Sequence, residues 1–223
     1  MFFPIGDTNI EKGYRPVFTY LLLAINIAVY IYQIFLPRDL SVQFVNQYAS
    51  IPVEIVNFQS LHTLFTSMFL HGGFMHLAGN MMFLWIFGDN VEAIIGTTKY
   101  IFFYIGGGLI AALAHVAFNM HSTMPCVGAS GAIAACMGAY LVMFPKSKIR
   151  VILLLFFIPF NIRAIYFLGL WIVLQFRSEF LNYGASTSTN IAYMAHIGGF
   201  VFGLLCGMVF RNDIKDHHLR FHN

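Results

Sequence analysis

Two short glycine-rich motifs each place one reactive side chain inside an apolar segment. Gly128–Gly131 contains Ser130, and Ala195–Gly199 contains His196. A serine hydroxyl becomes a good nucleophile when a neighbouring histidine takes its proton. A histidine within a membrane helix is a functional candidate by default, because burying it in lipid is costly. We therefore predict that Ser130 and His196 form a catalytic pair inside the bilayer.

A second polar pair, His76 and Asn80, lies in another apolar segment. The two residues are four apart, so they share one helix face. Both side chains, together with the Ser130 amide in the first turn of its helix, could donate hydrogen bonds to the oxyanion of a tetrahedral intermediate. The nearest acids, Asp89 and Glu92, fall at the opposite end of their span. The pattern therefore predicts a dyad rather than a triad.

The composition is that of a membrane protein with several spans. The chain has 223 residues, of which 59% are hydrophobic and 9% are charged, whereas a soluble domain carries roughly 25% charged residues. A net charge of +3 without a basic cluster argues against nucleic acid as a partner. Three scattered cysteines provide neither a disulfide framework nor a zinc motif. We expect no metal and no cofactor.

The apolar runs predict an all-α membrane protein, a six-helix bundle with a short central fourth helix and a long outer loop between helices 1 and 2. Residues 1–16 are expected to be a cytoplasmic leader, 17–210 the membrane domain and 211–223 a cytoplasmic tail. Val151–Phe160, which Pro159 interrupts, is too short to cross and is expected to be extended or re-entrant. The predicted spans are Val17–Leu36, Phe74–Ile95, Tyr100–Phe118, Gly128–Phe144, Arg163–Phe180 and Ile191–Phe210, with a tight turn at Gly96–Lys99.

The basic residues orient this bundle. With both termini in the cytoplasm, only Arg38 and Arg177 of the 12 basic residues fall outside, in agreement with the positive-inside rule. Ser130, His196, His76 and Asn80 then reach similar depths in the outer half of the membrane, although they come from three separate spans. Apolar composition alone does not require that coincidence.

Stripes of small residues bring two of these spans together. Small side chains at helical spacing allow close approach of membrane helices, and such stripes occur in both the fourth and the sixth span. Close packing alone would account for the glycine motifs, so the catalytic reading depends on the four polar residues together. The stripes are Gly131, Ala134, Ala135 and Gly138 in span four, and Ala192, Ala195, Gly199 and Gly203 in span six.

The same motifs resemble those of a known family. Phe65–Gly73 followed by His76 and Asn80 is similar to the His-xxxx-His-xxx-Asn stretch of rhomboid intramembrane serine proteases of the bacterial six-span type. Further similar stretches cover the chain from its start to about Phe210. They are Phe3–Asp7, Gly88–Glu92, Val127–Gly131 and Ala195–Gly199.

The resemblance implies a role for each site residue. Ser130 would be the nucleophile and His196 the general base, while His76, Asn80 and the Ser130 amide would bind the oxyanion. Span five, including Trp171, and the loop 181–190 would move to admit a substrate.

The implied partners are single-pass membrane proteins, and the implied location is a bacterial inner membrane. Two places depart from the family pattern. The first outer loop reads Leu61-His62-Thr63 where many members carry a Trp-Arg pair, and Ala134 stands where some members have an aromatic that stacks on the histidine. The orientation of His196 must then be secured otherwise. The natural substrate and the oligomeric state are left open.

Three other readings compete with the protease. A catalytically inactive rhomboid-like protein that binds membrane clients would usually lack the serine or the histidine, and this chain has both. A channel or transporter would typically show inverted repeats or paired broken helices. A metalloprotease would need a motif such as His-Glu-x-x-His, which the sequence lacks.

Overall fold

The structure is a computed structural model that describes residues 2–7, 14–153, 158–182 and 192–221. These residues are mostly helical and also include three short strands. The helices are α1 Val17–Phe35, α2 Arg38–Tyr48, α3 Pro52–Val56, α4 Thr63–Thr66, α5 Phe74–Phe83, α6 Asp89–Ile95, α7 Thr97–Phe118, α8 Ser130–Met143, α9 Ala164–Asn182 and α10 Tyr193–Phe221.

Among the described residues, 4 helices are long and apolar enough to cross a membrane, namely α1, α7, α9 and α10. Helix α8 is apolar but shorter, as the sequence predicts. The predicted second span is divided into α5, a π-helical turn at Leu84–Gly88 and α6. The chain is therefore a helical integral membrane protein.

One predicted boundary is wrong. The tight turn expected at Gly96–Lys99 is confined to Gly96, whose φ of 77° suits glycine, and α7 begins directly afterwards at Thr97. The predicted end of the sixth span at Phe210 agrees with the apolar part of α10, which reaches Arg211, while the helix itself continues to Phe221. Backbone hydrogen bonding can extend a helix beyond the apolar stretch, because it does not depend on hydropathy.

The structure also contains a three-stranded antiparallel sheet that the apolar pattern does not predict. Its central strand β2 Lys148–Leu153 pairs with β1 Phe2–Asp7 on one side and with β3 Ile158–Arg163 on the other. The expectation of an extended segment within Val151–Phe160 agrees with β2 and β3. The leader is partly a strand, because its residues find backbone partners more than a hundred positions along the chain.

Helix α8 lies at the centre of the molecule, and residues 131–140 are all buried. It packs most closely on α10 through the predicted small residues. A Cβ on Gly199 would overlap the carbonyl oxygen of Gly131, and one on Gly203 would overlap that of Ala135. The small-residue stripes therefore do bring these two backbones together, as expected.

Buried polar contacts join the elements at the end of the bundle that carries the sheet. The Glu92 carboxylate accepts hydrogen bonds from the Phe18 and Thr19 amides, at 3.0 and 2.8 Å. These amides belong to the first turn of α1, where backbone donors lack partners within the helix. Asp7 at the end of β1 accepts from Tyr140 Oη at 2.6 Å and Asn90 Nδ2 at 3.0 Å.

Contacts at the other end hold the long first loop. Ser50 and Cys126 exchange two backbone hydrogen bonds, of 3.1 and 2.8 Å, which joins the first loop to the loop before α8. The side chain of Gln33 in α1 accepts from the His71 amide at 3.2 Å and donates to the His71 carbonyl at 3.3 Å. These bonds fix the chain just before α5, which carries His76 and Asn80.

Candidate active site

The two predicted reactive side chains are in direct contact. Nε2 of His196 lies 2.8 Å from Oγ of Ser130. Ser130 is the first residue of α8 and His196 lies in the first turn of α10. The close packing of these helices at Gly131 and Gly199 therefore places the imidazole over the hydroxyl.

Helix α9 supplies two contacts to the histidine. Nδ1 of His196 lies 2.8 Å from Oε1 of Gln175, and the Trp171 ring lies 5.8 Å from the imidazole, centroid to centroid, at an angle of 39°. The family resemblance implies a role for Trp171 but none for Gln175. The available signal was a polar side chain in an apolar span, four residues after Trp171 and so on the same helix face.

The two predicted oxyanion donors converge on a position that glycine leaves open. A Cβ on Gly128 would lie 2.9 Å from His76 Nε2 and 3.5 Å from Asn80 Nδ2. Asn80 is buried, yet Nδ2 has no hydrogen-bond acceptor among the described residues. A buried donor without a partner is costly unless a ligand uses it.

These side chains share one cavity of about 220 Å³. Met75, Phe83, Ile133 and Met137 provide much of its apolar wall. The cavity therefore combines an apolar wall with a few polar groups at one side, as ligand-binding sites do. Its polar lining residues are Ser130, His196, His76 and Asn80, and Trp171 forms a further part of the wall.

Two other histidines lie nearby without lining the cavity. His71 precedes α5 at a distance from which a side chain could cap the helix, but the start of α5 has no side-chain cap. Instead His71 is buried, with its ring 5.2 Å from that of His76. Burial lowers the pKa of His71 to about 4, with a smaller contribution from the charge of the nearby His76, so the ring is neutral at physiological pH. His115 contacts Asn119 near the end of α7.

The fold and the site together define a helical integral membrane protein with a hydrogen-bonded serine–histidine pair in an open cavity. The family model of the Rhomboid domain matches residues 59–213. The chain therefore belongs to the rhomboid family.

Several relatives cover much of the chain. It is 27% identical over 215 residues to Rhomboid protein 1, mitochondrial, of Saccharomyces cerevisiae, covering 94% of this chain and 58% of the relative. It is 28% identical over 197 residues to Rhomboid protease GluP of Bacillus subtilis, covering 88% of this chain and 35% of the relative. The Putative rhomboid protease YdcA of Bacillus subtilis is 29% identical over 160 residues, with 64% of this chain and 66% of the relative covered.

Proposed function

We propose that the protein is an intramembrane serine endopeptidase that cleaves membrane proteins in or beside their transmembrane segments. The main observation behind this proposal is the 2.8 Å contact between Ser130 Oγ and His196 Nε2, in a cavity that His76 and Asn80 also line. Family membership and the relatives named as rhomboid proteases support the same activity.

The chemistry follows from the contacts of the dyad. Ser130 Oγ attacks the scissile carbonyl while His196 Nε2 takes its proton. His76 Nε2, Asn80 Nδ2 and the Ser130 amide stabilise the oxyanion of the tetrahedral intermediate. The imidazolium then gives its proton to the leaving amine, which leaves an acyl-enzyme on Ser130. Water that enters through the cavity then attacks the ester while His196 takes its proton, and the imidazolium returns a proton to Ser130 Oγ as the carboxylic acid product leaves.

The proposed topology has six spans with both termini in the cytoplasm. Residues 17–210 would form the membrane domain, flanked by the leader 1–16 and the tail 211–223. Two pairings support it, because β1 pairs with β2 at one end of the bundle and Ser50 pairs with Cys126 at the other. We propose a bacterial inner membrane as the location. Fractionation and reporter fusions at each terminus would test both statements.

The proposed substrates are single-pass membrane proteins that enter beside α9 and Trp171. Only 11% of the residues in the apolar stretch of α9 are buried inside the protein, against 22–39% in the other three long helices. A weakly packed helix is the easiest to displace for a substrate. The resemblance also assigns the loop 181–190 to this gate. Residues 181 and 182 are the last two of α9, and the rest of the loop lies outside the described residues. The oligomeric state is left open.

The test is cleavage of a fluorescent single-span substrate by purified protein in detergent or proteoliposomes. Wild type should cleave it, while Ser130→Ala and His196→Ala should lose nearly all activity because each removes half of the dyad. Ser41→Ala, at a serine on α2 outside the cavity, controls for the substitution itself. Equal cleavage by wild type and Ser130→Ala would refute the protease.

The alternative is a rhomboid-like protein that binds membrane clients without cleaving them. It predicts that wild type and Ser130→Ala retain the same single-span protein in a pull-down and that neither cleaves it. Cleavage by wild type alone would exclude this alternative.

A further inference from the structure

The second nitrogen of His196 has a partner that belongs to a different helix from either dyad residue. Gln175 lies on α9, and its Oε1 is 2.8 Å from Nδ1 of His196. On its other side, Nε2 of Gln175 donates a hydrogen bond of 3.4 Å to the Trp171 carbonyl one turn earlier in the same helix. That bond turns the amide oxygen toward the imidazole.

This arrangement determines where the imidazole carries its proton. An amide oxygen only accepts hydrogen bonds, so Nδ1 must be the protonated nitrogen. The neutral ring then has its lone pair on Nε2, which faces Ser130 Oγ at 2.8 Å. A general base needs this tautomer, because the other one would direct an N–H at the hydroxyl and could not take its proton.

We propose that Gln175 is a positioning residue that holds His196 in the tautomer and orientation required for proton transfer; this inference rests on the proposed protease function. The Trp171 ring packs on the same imidazole at 5.8 Å. Ala134 is fully buried in α8 and provides no ring on which the histidine could stack. Helix α9 therefore orients the histidine in its place.

The proposal links the position of α9 to the competence of the dyad. The inner end of α9 is anchored, because the amides of Ala164 and Ile165 donate to the carbonyls of Ser147 and Pro145 at 2.8 and 3.2 Å. Gln175 lies roughly 16 Å further along the helix at 1.5 Å per residue. An outward tilt about this anchor would withdraw Gln175 from His196, so α9 must return to its packed position before the proton moves.

The experiment compares Gln175→Leu and Gln175→Glu with wild type and with Leu174→Ala, a neighbouring residue on α9 that is 45% exposed. Kinetics on the fluorescent single-span substrate should show kcat lowered at least about 10-fold in Gln175→Leu with KM within about twofold, since general-base catalysis contributes about 100- to 10,000-fold. Gln175→Glu should retain activity, because a carboxylate also accepts from Nδ1–H. Leu174→Ala should match wild type.

The pH profile separates orientation from mere packing. In Gln175→Glu the acid limb of kcat/KM should move to higher pH, because a carboxylate beside the ring stabilises the imidazolium. Gln175→Leu with unchanged kcat, or Gln175→Glu as inactive as Gln175→Leu, would overturn the proposal. Equal melting temperatures across the series would show that the variants are folded.

Nitrogen-15 NMR of labelled histidine gives a readout that does not depend on cleavage. In wild type the His196 signals should be those of the Nδ1–H tautomer, and Gln175→Leu should shift them toward a mixture. An unchanged tautomer in Gln175→Leu would overturn the role of Gln175 even if wild type is an active protease. If wild type cleaves nothing, the protease proposal fails, while the NMR comparison still decides whether Gln175 controls the ring.

Discussion

The oxyanion donors and the glycine beside them form the most demanding part of the candidate site. Gly128 has a φ of 128°, a backbone conformation that residues other than glycine rarely adopt. His76 Nε2 and Asn80 Nδ2 converge on the space beside its Cα. Gly128 is therefore needed for two independent reasons, the backbone conformation and the open volume.

We predict that Gly128→Ala abolishes most activity. The added Cβ would lie 2.9 Å from His76 Nε2, so the donors would be displaced from the oxyanion and kcat would fall about 100- to 1,000-fold. Gly73→Ala is the matched control, because a Cβ there meets nothing within 4 Å. Single-turnover cleavage measures the effect. An active Gly128→Ala would contradict the assignment of the oxyanion site.

Residue types predicted the dyad contact but not the partner of its second nitrogen. Ser130 and His196 were predictable because each lies in a motif of small residues that requires close helix packing. Gln175 was not, since nothing in its own span indicates which neighbour it faces. Its role depends on how α9 is rotated about its axis, which the contacts of the whole bundle determine.

At the level of elements, the site depends on the contact between α8 and α10. The backbones touch where Gly203 faces Ala135, and a Cβ on Gly203 would lie 2.7 Å from the Ala135 carbonyl carbon. Backbone atoms in two packed helices cannot yield as a flexible side chain can. The contact is therefore sensitive to a single methyl group.

We predict that Gly203→Ala lowers the stability by about 1–3 kcal/mol, the usual cost of overpacking. Gly169→Ala on α9 is the control, because its Cβ meets nothing within 4 Å, and it should be neutral or stabilising since alanine favours helix. Thermal unfolding in detergent compares the two. Equal melting temperatures would mean that α8 and α10 are not packed as closely as the structure has them.

The elements themselves were predictable to differing degrees. The start of α1 and the shortness of α8 were predictable, because the length of an apolar run limits the length of the helix that lipid can surround. The sheet was not predictable, because Phe2–Asp7 carries little strand pattern of its own and is extended only through pairing with Lys148–Leu153. Pairing between distant segments cannot be deduced from local periodicity.

At the scale of the whole molecule, Asp7 connects the amino-terminal strand to the helical bundle. Burial raises the pKa of the Asp7 carboxyl above its ordinary value of 3.8, although hydrogen bonds from Tyr140 and Asn90 oppose the shift. The folded protein therefore holds this proton more tightly than the unfolded chain. The stabilisation that comes from this tighter proton binding is complete below pH 3.8 and is lost as the pH rises through the raised pKa of Asp7.

We predict that Asp7→Asn flattens this part of the pH dependence. As the pH falls from neutral to acid, the melting temperature of wild type should rise relative to that of Asp7→Asn, because only wild type has a carboxylate at position 7 that takes up a proton. Asp39→Asn, at an exposed carboxyl at the start of α2, is the control. Parallel curves for wild type and Asp7→Asn would contradict the partly buried position of Asp7 beside Tyr140.

The central claim is that His196 activates Ser130 within the membrane domain. The most direct measurement is labelling of purified protein with a fluorophosphonate, followed by mass spectrometry to locate the adduct. We predict one adduct at Ser130 in wild type and almost none in His196→Ala, provided that both proteins have the same melting temperature. An adduct elsewhere, or equal labelling of Ser130 without His196, would contradict the claim.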